Sequence, residues 1–476
     1  MKRNEKIMVV ANKLKGMIDK YKNPIHTSKQ PVSYQFRGVN KNKFVTSICT
    51  SKHPLKNSSK KTKLFYFLAL EHFVNSCASD VKYTKARLLQ YRNLFVYDET
   101  LTTQIGNNIE KTIKAVVDDF LQPWKRQQCF LLFCDIALII MEKAQIKKAF
   151  VMITNYISKR KKKYLNELFE IFYNDNKIPL AFLRISNFII QFRKNISFVI
   201  QQEMRILITA TMSAGKSTLI NAIVGKPITK TAQEACTNNL CYIYNKPFED
   251  NNIHLLASLV SFSATYDELI AKEKETICNV ASFFRTFYKT QARVCLIDTP
   301  GVNSAINRDH GKLARKAIIE ENYDKLIYIL NAHSLGTDDE IKHLKYVYKN
   351  VPHNKIIFVI NKLDSFRKSD DSVSESIKLV KTDLQKIGYK NPVICPFSAY
   401  FSFLLKMKQN NEELDSDEQD VFDLYIKKFN KPEYDLSKYY DKPVGEPFHN
   451  GDELMKMSFI SGLYCLENIL YGEAMK

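Results

Sequence analysis

The sequence contains, near its middle, Ala210-Thr211-Met212-Ser213-Ala214-Gly215-Lys216-Ser217-Thr218. A short apolar run at 205–209 precedes this stretch and predicts a buried strand. The following residues, 219–224, predict a helix that ends at Gly225. Strand, loop and helix in this order are the setting of a phosphate-binding P-loop, whose backbone N–H groups face the phosphates. The alternative is a chance match in a polar loop.

The P-loop interpretation gives chemical roles to individual side chains. Lys216 would reach the β- and γ-phosphates, and Ser217 would hold Mg²⁺. The usual pattern, G-x-x-x-x-G-K-[ST], begins with glycine, whereas this chain has Ala210. A methyl group is tolerated there if φ is negative and is costly if φ is positive. We expect the phosphates to be bound by Met212, Ser213, Ala214, Gly215, Lys216, Ser217 and Thr218.

Three further motifs follow predicted strands. The first is Asp298-Thr299-Pro300-Gly301. Its aspartate, Asp298, can orient Mg²⁺, and the backbone N–H of Gly301 can sense the γ-phosphate. Asn361-Lys362-Leu363-Asp364 offers an Asp364 carboxylate that can accept two hydrogen bonds from guanine, with Lys362 over the base and Asn361 tying loops together. Pro396-Phe397-Ser398-Ala399 can present a backbone N–H to guanine O6. Ligands bind at the carboxyl ends of strands in open α/β sheets, so the four motifs together predict GTP.

The switch threonine has three candidates between the first helix and the second strand: Thr229, Thr231 and Thr237. Thr237, just before the strand at 240–245, is favoured because its hydroxyl could ligate Mg²⁺ and its carbonyl could orient the attacking water. The predicted metal ligands are therefore Ser217, Thr237 and Asp298. Val302 follows Gly301 where a water-orienting glutamine could stand, so hydrolysis must be assisted from elsewhere.

The order of predicted elements divides the 476 residues into regions. We predict a basic, partly mobile arm at 1–63, a helical bundle region at 64–200, and a GTPase domain at 201–476 with an exposed polar and acidic insertion at about 406–455. Helices are expected at 81–96, 106–121, 125–145, 147–173 and 179–201. Strands are expected at 204–209, 240–245, 292–297, 325–331, 355–360 and 392–397. The fold class is thus an α/β P-loop GTPase domain, doubly wound with a mainly parallel sheet, preceded by an all-α region.

The net charge of +21 is confined to the first 200 residues, which hold 36 Lys and Arg against 14 Asp and Glu. This asymmetry indicates an anionic partner, either a membrane surface or nucleic acid, and the alternative is plain solubility. The block Lys159–Lys163 is either a solvated helix face or a contact for phosphates. The ten cysteines form no C-x-x-C pair, which argues against zinc and for a reducing compartment. No secretory signal or membrane span is evident, so we expect a cytoplasmic protein, with peripheral membrane contact as one alternative.

Residues 200–400 and the last predicted helix resemble the dynamin superfamily, most of all bacterial dynamin-like proteins. The resemblance rests on the four motifs and on Glu234-Ala235-Cys236-Thr237 and Gly336-Thr337-Asp338-Asp339-Glu340. It implies a large GTPase that uses Mg²⁺ and completes its active site by dimerisation through the GTPase domain. The catalytic residues would be Ser213, Lys216, Thr237 and Gly301, with Ser213 neutralising transition-state charge.

Two departures from the family limit what the resemblance implies. Met212 stands where dynamins carry glutamine, so turnover is expected to be slow. The family places a helical stalk after its GTPase domain, whereas the helical mass here precedes the domain, so stalk-based assembly would need a partner chain. The leading hypothesis is a dynamin-like GTPase that acts at an anionic membrane, as a homodimer or with a related GTPase. The alternatives are a soluble regulatory or assembly GTPase that binds nucleic acid or protein, and a nucleotide-binding module with little hydrolysis.

Overall fold

The computed structural model describes residues 41–96, 108–117, 127–174, 176–229, 240–257, 260–271, 277–288, 292–301, 308–366, 372–441, 444–445, 447 and 451–472. All of them belong to one compact unit, Val39–Lys476. The first 40 residues of the predicted basic arm lie outside the described residues.

Helices account for the regular structure of the residues described between 41 and 199. After a helical turn at Lys41–Phe44 they are α1 (Lys60–Cys77), α2 (Val81–Phe95), α3 (Ile109–Val117), α4 (Gln128–Ile140), α5 (Lys143–Thr154), α6 (Lys159–Ile171), a 3₁₀ turn (Leu180–Ile185) and α7 (Ser186–Val199). Helix α4 is apolar on all faces and buried along its whole length, with α1, α2, α3, α5 and α7 around it. None of the described helices has both the length and the apolar composition that a membrane span requires.

Two of the predicted helices are broken in the structure. The helix expected at 125–145 ends at Ile140, because Met141 adopts a left-handed backbone with φ 60°. The helix expected at 147–173 is interrupted after Thr154, and α6 begins anew where the Ser158 hydroxyl accepts the Lys161 N–H at 3.4 Å. The basic block Lys159–Lys163 therefore forms the first turns of α6.

In the rest of the chain the described residues form a nine-stranded sheet, in the order β4-β3-β5-β2-β6-β1-β7-β8-β9. The strands are β1 (Met204–Ala210), β2 (Leu240–Asn245), β3 (His254–Leu256), β4 (Val260–Ser261), β5 (Ile277–Ser282), β6 (Val294–Asp298), β7 (Lys325–Asn331), β8 (Ile356–Asn361) and β9 (Val393–Pro396). Strands β6, β1, β7, β8 and β9 run parallel, whereas β2 is antiparallel to β6 and β3 is antiparallel to both of its neighbours. The predicted fold class is confirmed, and β3, β4 and β5 extend the sheet beyond the six predicted strands.

Helices cover the sheet between and after its strands. They are α8 (Lys216–Val224), α9 (Tyr266–Ala271), α10 (Arg308–Glu320), α11 (Asp338–Asn350), α12 (Val373–Ile387), α13 (Ala399–Gln409), α14 (Ser416–Phe429), α15 (Glu453–Ile460) and α16 (Leu463–Tyr471). The last helix packs against the sheet, where Lys325 donates to the Ile469 carbonyl at 2.7 Å.

The basic arm was predicted too long. Phe44, Val45, Ile48 and Leu55 are buried, because they reach apolar partners that are distant in sequence. Residues 44–48, which we call the strap, touch both halves of the molecule. The Asn195 side chain brackets Ser47, donating to its carbonyl and accepting its N–H, while the Ser47 hydroxyl donates to the Phe248 carbonyl at 2.9 Å.

The exposed insertion at 406–455 was also predicted wrongly. Lys406 is fully buried and its ammonium lies 2.7 Å from a Glu467 carboxylate oxygen. Helix α14 packs against α13 through Phe422 and Phe429, whose rings lie 5.9 and 4.9 Å from that of Phe401. The acidic residues of this segment form only the outer face of a helix whose inner face is apolar, so the segment is part of the domain.

Candidate nucleotide-binding site

Four predicted motifs meet at one edge of the sheet. The motifs follow strands β1, β6, β8 and β9. With β7, these strands form one parallel part of the sheet, so their carboxyl ends lie at the same edge. The register pairs Ile208 of β1 with Asp298 of β6, and Asn331 of β7 with Asn361 of β8. The loops after these strands therefore adjoin one another, which is where open α/β sheets bind ligands.

The P-loop has a backbone that is suited to wrapping an anion. Ser213 and Gly215 both have positive φ, 60° and 87°, and α8 begins directly after them at Lys216. A side chain at Gly215 would stand 2.3 Å from Asn361 Nδ2, so only glycine fits. Ala210, the departure from the usual pattern, ends β1 and is not among the positive-φ residues, so its methyl group causes no strain.

The remaining P-loop side chains differ in exposure. Met212 is 44% exposed and Ser213 is also exposed, whereas Ala214 is buried. Ser217 and Thr218 lie half-buried in the first turn of α8. The loop thus presents its tip to solvent and its helix-forming end to the interior of the site.

Lys216 and Asp298 form an ion pair between the P-loop and β6. Asp298 is completely buried, and Oδ1 accepts from the Lys216 ammonium. Its other oxygen, Oδ2, has no hydrogen-bond partner within the described part of the chain. A buried carboxylate oxygen without a partner is costly and calls for a ligand, such as a cation or its bound water. A Cβ at Gly301 would lie 3.9 Å from Met212 Cα, which places the predicted γ-phosphate sensor beside the P-loop.

Asn361 ties three loops together. Its Nδ2 donates to the Ala214 carbonyl at 3.0 Å, and its Oδ1 accepts the Ala399 N–H at 3.0 Å. The predicted tying role is thus visible in the contacts. The Ala399 N–H, which we expected to face guanine O6, already has this partner. Lys362 follows with φ 70°, a backbone turn that is uncommon for a residue other than glycine.

Asp364 is held by one residue of a predicted motif and by one residue outside the motifs. Its Oδ1 accepts from the Ser398 hydroxyl at 2.8 Å, and Ser398 belongs to the last predicted motif. Its Oδ2 accepts from the Tyr425 hydroxyl at 2.9 Å, and Tyr425 lies on α14. No sequence argument placed α14 near the base loop. The apolar spacing of Phe422, Tyr425 and Phe429 was the available signal for a packed helix.

Of the three candidates for the switch threonine, one lies among the described residues. Thr229 is buried, with its hydroxyl 2.8 Å from Asn221 Oδ1 and its N–H donated to the same oxygen at 3.0 Å. It therefore holds the end of α8 and its hydroxyl is already used. Thr231 and Thr237 lie outside the described residues.

Part of the chain is similar to known proteins. Residues 206–363 match the family model described as the dynamin family. An uncharacterised protein of Caldicellulosiruptor sp. (strain Rt8B.4), from the xynA 3' region, is 27% identical over 237 residues, or 48% of this chain and 57% of that protein. Dynamin-like protein A of Bacillus subtilis (strain 168) is 26% identical over 34% of this chain and 14% of its own. A probable transmembrane GTPase of Arabidopsis thaliana, FZO-like and chloroplastic, is 24% identical over 42% of this chain and 19% of its own.

The matches cover parts of the proteins only. The chain spans less than two thirds of the length of each of these relatives. Among solved structures, that of an Era point variant from Aquifex aeolicus bound to GDP·AlF4⁻ aligns with a TM-score of 0.27 and 17% identity, over 45% of this chain and 59% of that one.

Proposed function

Because residues 206–363 match the family model of the dynamin family, we propose that this protein binds GTP and hydrolyses it to GDP and phosphate. The observation that carries the proposal is the convergence of Lys216, Asp298 and Asp364 at one edge of the sheet. A P-loop lysine and a β-strand aspartate serve phosphate chemistry. A carboxylate at the base loop selects guanine, because its oxygens accept from the N1–H and 2-amino groups that adenine lacks.

In this proposal the phosphates lie on the N-terminus of α8. The N–H groups of residues 213–218 donate to phosphate oxygens, and the Lys216 ammonium exchanges its contact with Asp298 for the β- and γ-phosphates. Lys362 lies over the base while Asp364 fixes its edge. Because the Ala399 N–H already serves Asn361, it would be shared with guanine O6.

The donor set fits a Mg²⁺ ion. The Asp298 Oδ2 is buried and open, and the Ser217 hydroxyl lies in the first turn of α8. Ser217 would be a direct ligand, Asp298 would act through a bound water, and Thr237 would complete the set. When bound, Mg²⁺ supplies positive charge that offsets the charge developing on the β- and γ-phosphate oxygens. The chain's own part is to orient the attacking water through the Thr237 carbonyl and to place the Gly301 N–H beside the γ-phosphate.

A second GTPase domain would complete the catalytic site. Met212 and Ser213 are exposed at the tip of the P-loop, where a partner can reach them. We expect Ser213 to help neutralise transition-state charge, and turnover per molecule to rise with protein concentration, either as a homodimer or with a related GTPase. Turnover that stays constant from nanomolar to micromolar protein would contradict dimerisation and leave GTP binding intact.

The experiment that tests the function is GTP binding and turnover by Lys216→Ala. Removing the ammonium should abolish GTP binding at micromolar nucleotide, because no other described side chain stands in its place. Lys342→Ala is the matched control, since Lys342 is exposed on α11. Micromolar binding retained by Lys216→Ala would contradict the P-loop assignment.

The base specificity is tested with Asp364→Asn. An amide cannot accept two hydrogen bonds from guanine in the same way, but it can donate to the 2-oxygen of xanthine. We expect the preference to shift toward xanthosine nucleotides by about 100-fold. Unchanged guanine selectivity would show that Asp364 does not contact the base.

The cellular surface on which the protein acts is proposed to be an anionic membrane. The first turns of α6 present Lys159, Arg160, Lys162 and Lys163 to solvent, and Leu180 is 85% exposed on the 3₁₀ turn. Exposed lysines and arginines are suited to anionic lipid head groups, and an exposed leucine is suited to the apolar layer beneath them. Sedimentation with phosphatidylserine vesicles at physiological salt should remove the protein from solution. Binding to RNA or DNA instead would favour the alternative of a soluble regulatory GTPase.

A further inference from the structure

We infer that Tyr425, on helix α14, is a positioning residue for guanine recognition, an inference that rests on the proposed GTP binding. The hydroxyl of Tyr425 donates to Asp364 Oδ2 at 2.9 Å, while the Ser398 hydroxyl donates to Oδ1 at 2.8 Å. An ionised carboxylate has about four acceptor positions, two on each oxygen. Two are taken by the protein, and two remain for the two N–H donors of the guanine edge.

The tyrosine hydroxyl is the donor in its contact with Asp364. Its ring packs edge-on against Phe401, with centroids 5.5 Å apart, and lies near Phe429 at 6.3 Å. Burial and the adjacent Asp364 charge raise the pKa of Tyr425, so the hydroxyl keeps its proton. A hydrogen bond from a fixed donor to a charged acceptor is among the stronger ones in proteins. It sets the rotation of the Asp364 carboxylate before a base arrives.

The same segment also fixes the backbone of the base loop. The ammonium of Lys428 contacts the carbonyls of both Asp364 and Phe366, and the Tyr434 hydroxyl donates to the Phe366 carbonyl at 3.3 Å. Lys428 lies 4.5 Å from the centre of the Tyr434 ring. Three side chains from residues 425–434 therefore hold both ends of the base-loop segment 364–366.

The beginning of α14 is fixed by its own sequence. Asp415 and Glu418 form a reciprocal capping box, in which each side chain accepts the backbone N–H of the other. The buried Phe422 and Phe429 anchor the helix on α13. Tyr425 is thus presented from a rigid helix, which is the arrangement that keeps a recognition group in place.

The test compares GDP and IDP binding by wild type and Tyr425→Phe, using calorimetry on the full chain. IDP lacks the 2-amino group, so the ratio of the two affinities measures how well Asp364 meets the guanine edge. Tyr425→Phe keeps the ring packing and loses only the hydroxyl. We expect GDP to bind about tenfold more weakly to the variant, while IDP binding changes less. The ratio of GDP affinity to IDP affinity should therefore fall. Tyr346→Phe is the matched control, because the Tyr346 hydroxyl also donates to a protein oxygen, the Arg315 carbonyl, away from the base loop.

The other outcomes each overturn the inference. An equal loss for GDP and IDP would make Tyr425 a structural residue only, and tighter GDP binding would make it a competitor of the base. Unchanged affinities would show that Ser398 alone orients Asp364. If the wild type bound neither nucleotide, the proposed function would fail together with this inference. A second variant, Lys428→Met, should weaken GDP binding without moving the GDP-to-IDP ratio, since it loosens the backbone and spares the carboxylate contact.

Discussion

The helical region and the sheet edge each contain one completely buried aspartate. The two differ in how many hydrogen bonds their carboxylates accept. Asp135, on α4, accepts from His53 Nε2 at 3.0 Å, from the Tyr91 hydroxyl at 2.9 Å and from the Tyr66 hydroxyl. The Leu55 N–H points at His53 Nδ1, so the proton lies on Nε2 and is donated to Asp135. Asp298 has only the Lys216 contact on one oxygen and, within the described residues, an open second oxygen.

The difference in hydrogen bonding indicates a structural role for Asp135 and a ligand-binding role for Asp298. Both oxygens of Asp135 accept from protein donors, which lie in the segment before α1, in α1 and in α2, so Asp135 links these segments to α4. The open oxygen of Asp298 carries a desolvation cost that a bound cation can remove. Of these two buried acids, Asp298 is therefore the one suited to a bound cation.

The first test of this comparison is a substitution of Asp135. Asp135→Ala would leave the His53, Tyr66 and Tyr91 donors buried without an acceptor, so we expect the free energy of unfolding to fall by about 3–5 kcal/mol. Urea denaturation measures this loss. Glu170→Ala, at an exposed site on α6, should change stability by less than about 0.5 kcal/mol. An Asp135→Ala protein as stable as wild type would mean that the cluster does not hold the bundle together.

The second test is Asp298→Asn. The amide oxygen can still accept from Lys216, so the loss of stability should be well below that of Asp135→Ala. The loss of charge where Mg²⁺ is proposed should lower GTP turnover by about 100-fold. Turnover with saturating GTP and Mg²⁺ is the measurement. A variant that loses stability as Asp135→Ala does, with turnover unchanged, would make the two acids equivalent.

Glu340, at the start of α11, is a third buried acid. Its substitution is expected to give the smallest effect of the three. It is 2% exposed, one oxygen accepts the Gly336 N–H at 2.9 Å, and the other has no partner within the described part of the chain. Burial, with the Asp383 charge, raises its pKa from 4.5 to about 7 against the lowering effect of that N–H. A raised folded-state pKa means that the native state is favoured below pH 4.5 and loses stability as pH rises toward 7.

Glu340→Gln should remove that pH dependence. We expect wild type to lose about 1–3 kcal/mol between about pH 4.5 and 7.5, and the variant to lose less. Denaturation midpoints at several pH values measure the slope. Glu375→Gln, exposed in the first turn of α12, is the control that should retain the wild-type slope. A Glu340→Gln slope equal to that of wild type would exclude Glu340 as its origin.

The sequence predicted the strands that carry motifs because each is a short, continuous apolar run followed by its polar residues. Ile206–Ile208 and Leu296–Ile297 are buried, as such runs require. Strands β3, β4 and β5 were missed because β3 and β4 are short and β5 is mixed in polarity. Strand β5 gains its partners, β2 and β3, from earlier parts of the chain. Strands of this kind are defined by pairing rather than by sequence pattern.

The site was predictable as far as local sequence determines it. The order of Lys216, Asp298 and Asp364 along the chain follows from strand–loop motifs. The contact of Tyr425 with Asp364 joins residues 61 positions apart across the sheet edge, and no spacing rule reaches it. Acidic composition concealed α14, although its capping box and the positions of Phe422 and Phe429 are typical of a packed helix.

The strap, residues 44–48, has a thermodynamic consequence for the whole molecule. Phe44 and Val45 belong to the core of the α/β domain and Ile48 to the core of the helical bundle, while the Phe44 carbonyl lies 2.8 Å from His254 Nδ1. Because the strap contributes to both cores, we expect the unfolding of one core to destabilise the other. Scanning calorimetry of the chain should therefore give a single heat-absorption peak, with equal calorimetric and van't Hoff enthalpies. A fragment that starts at residue 201 would melt at a lower temperature than the intact chain.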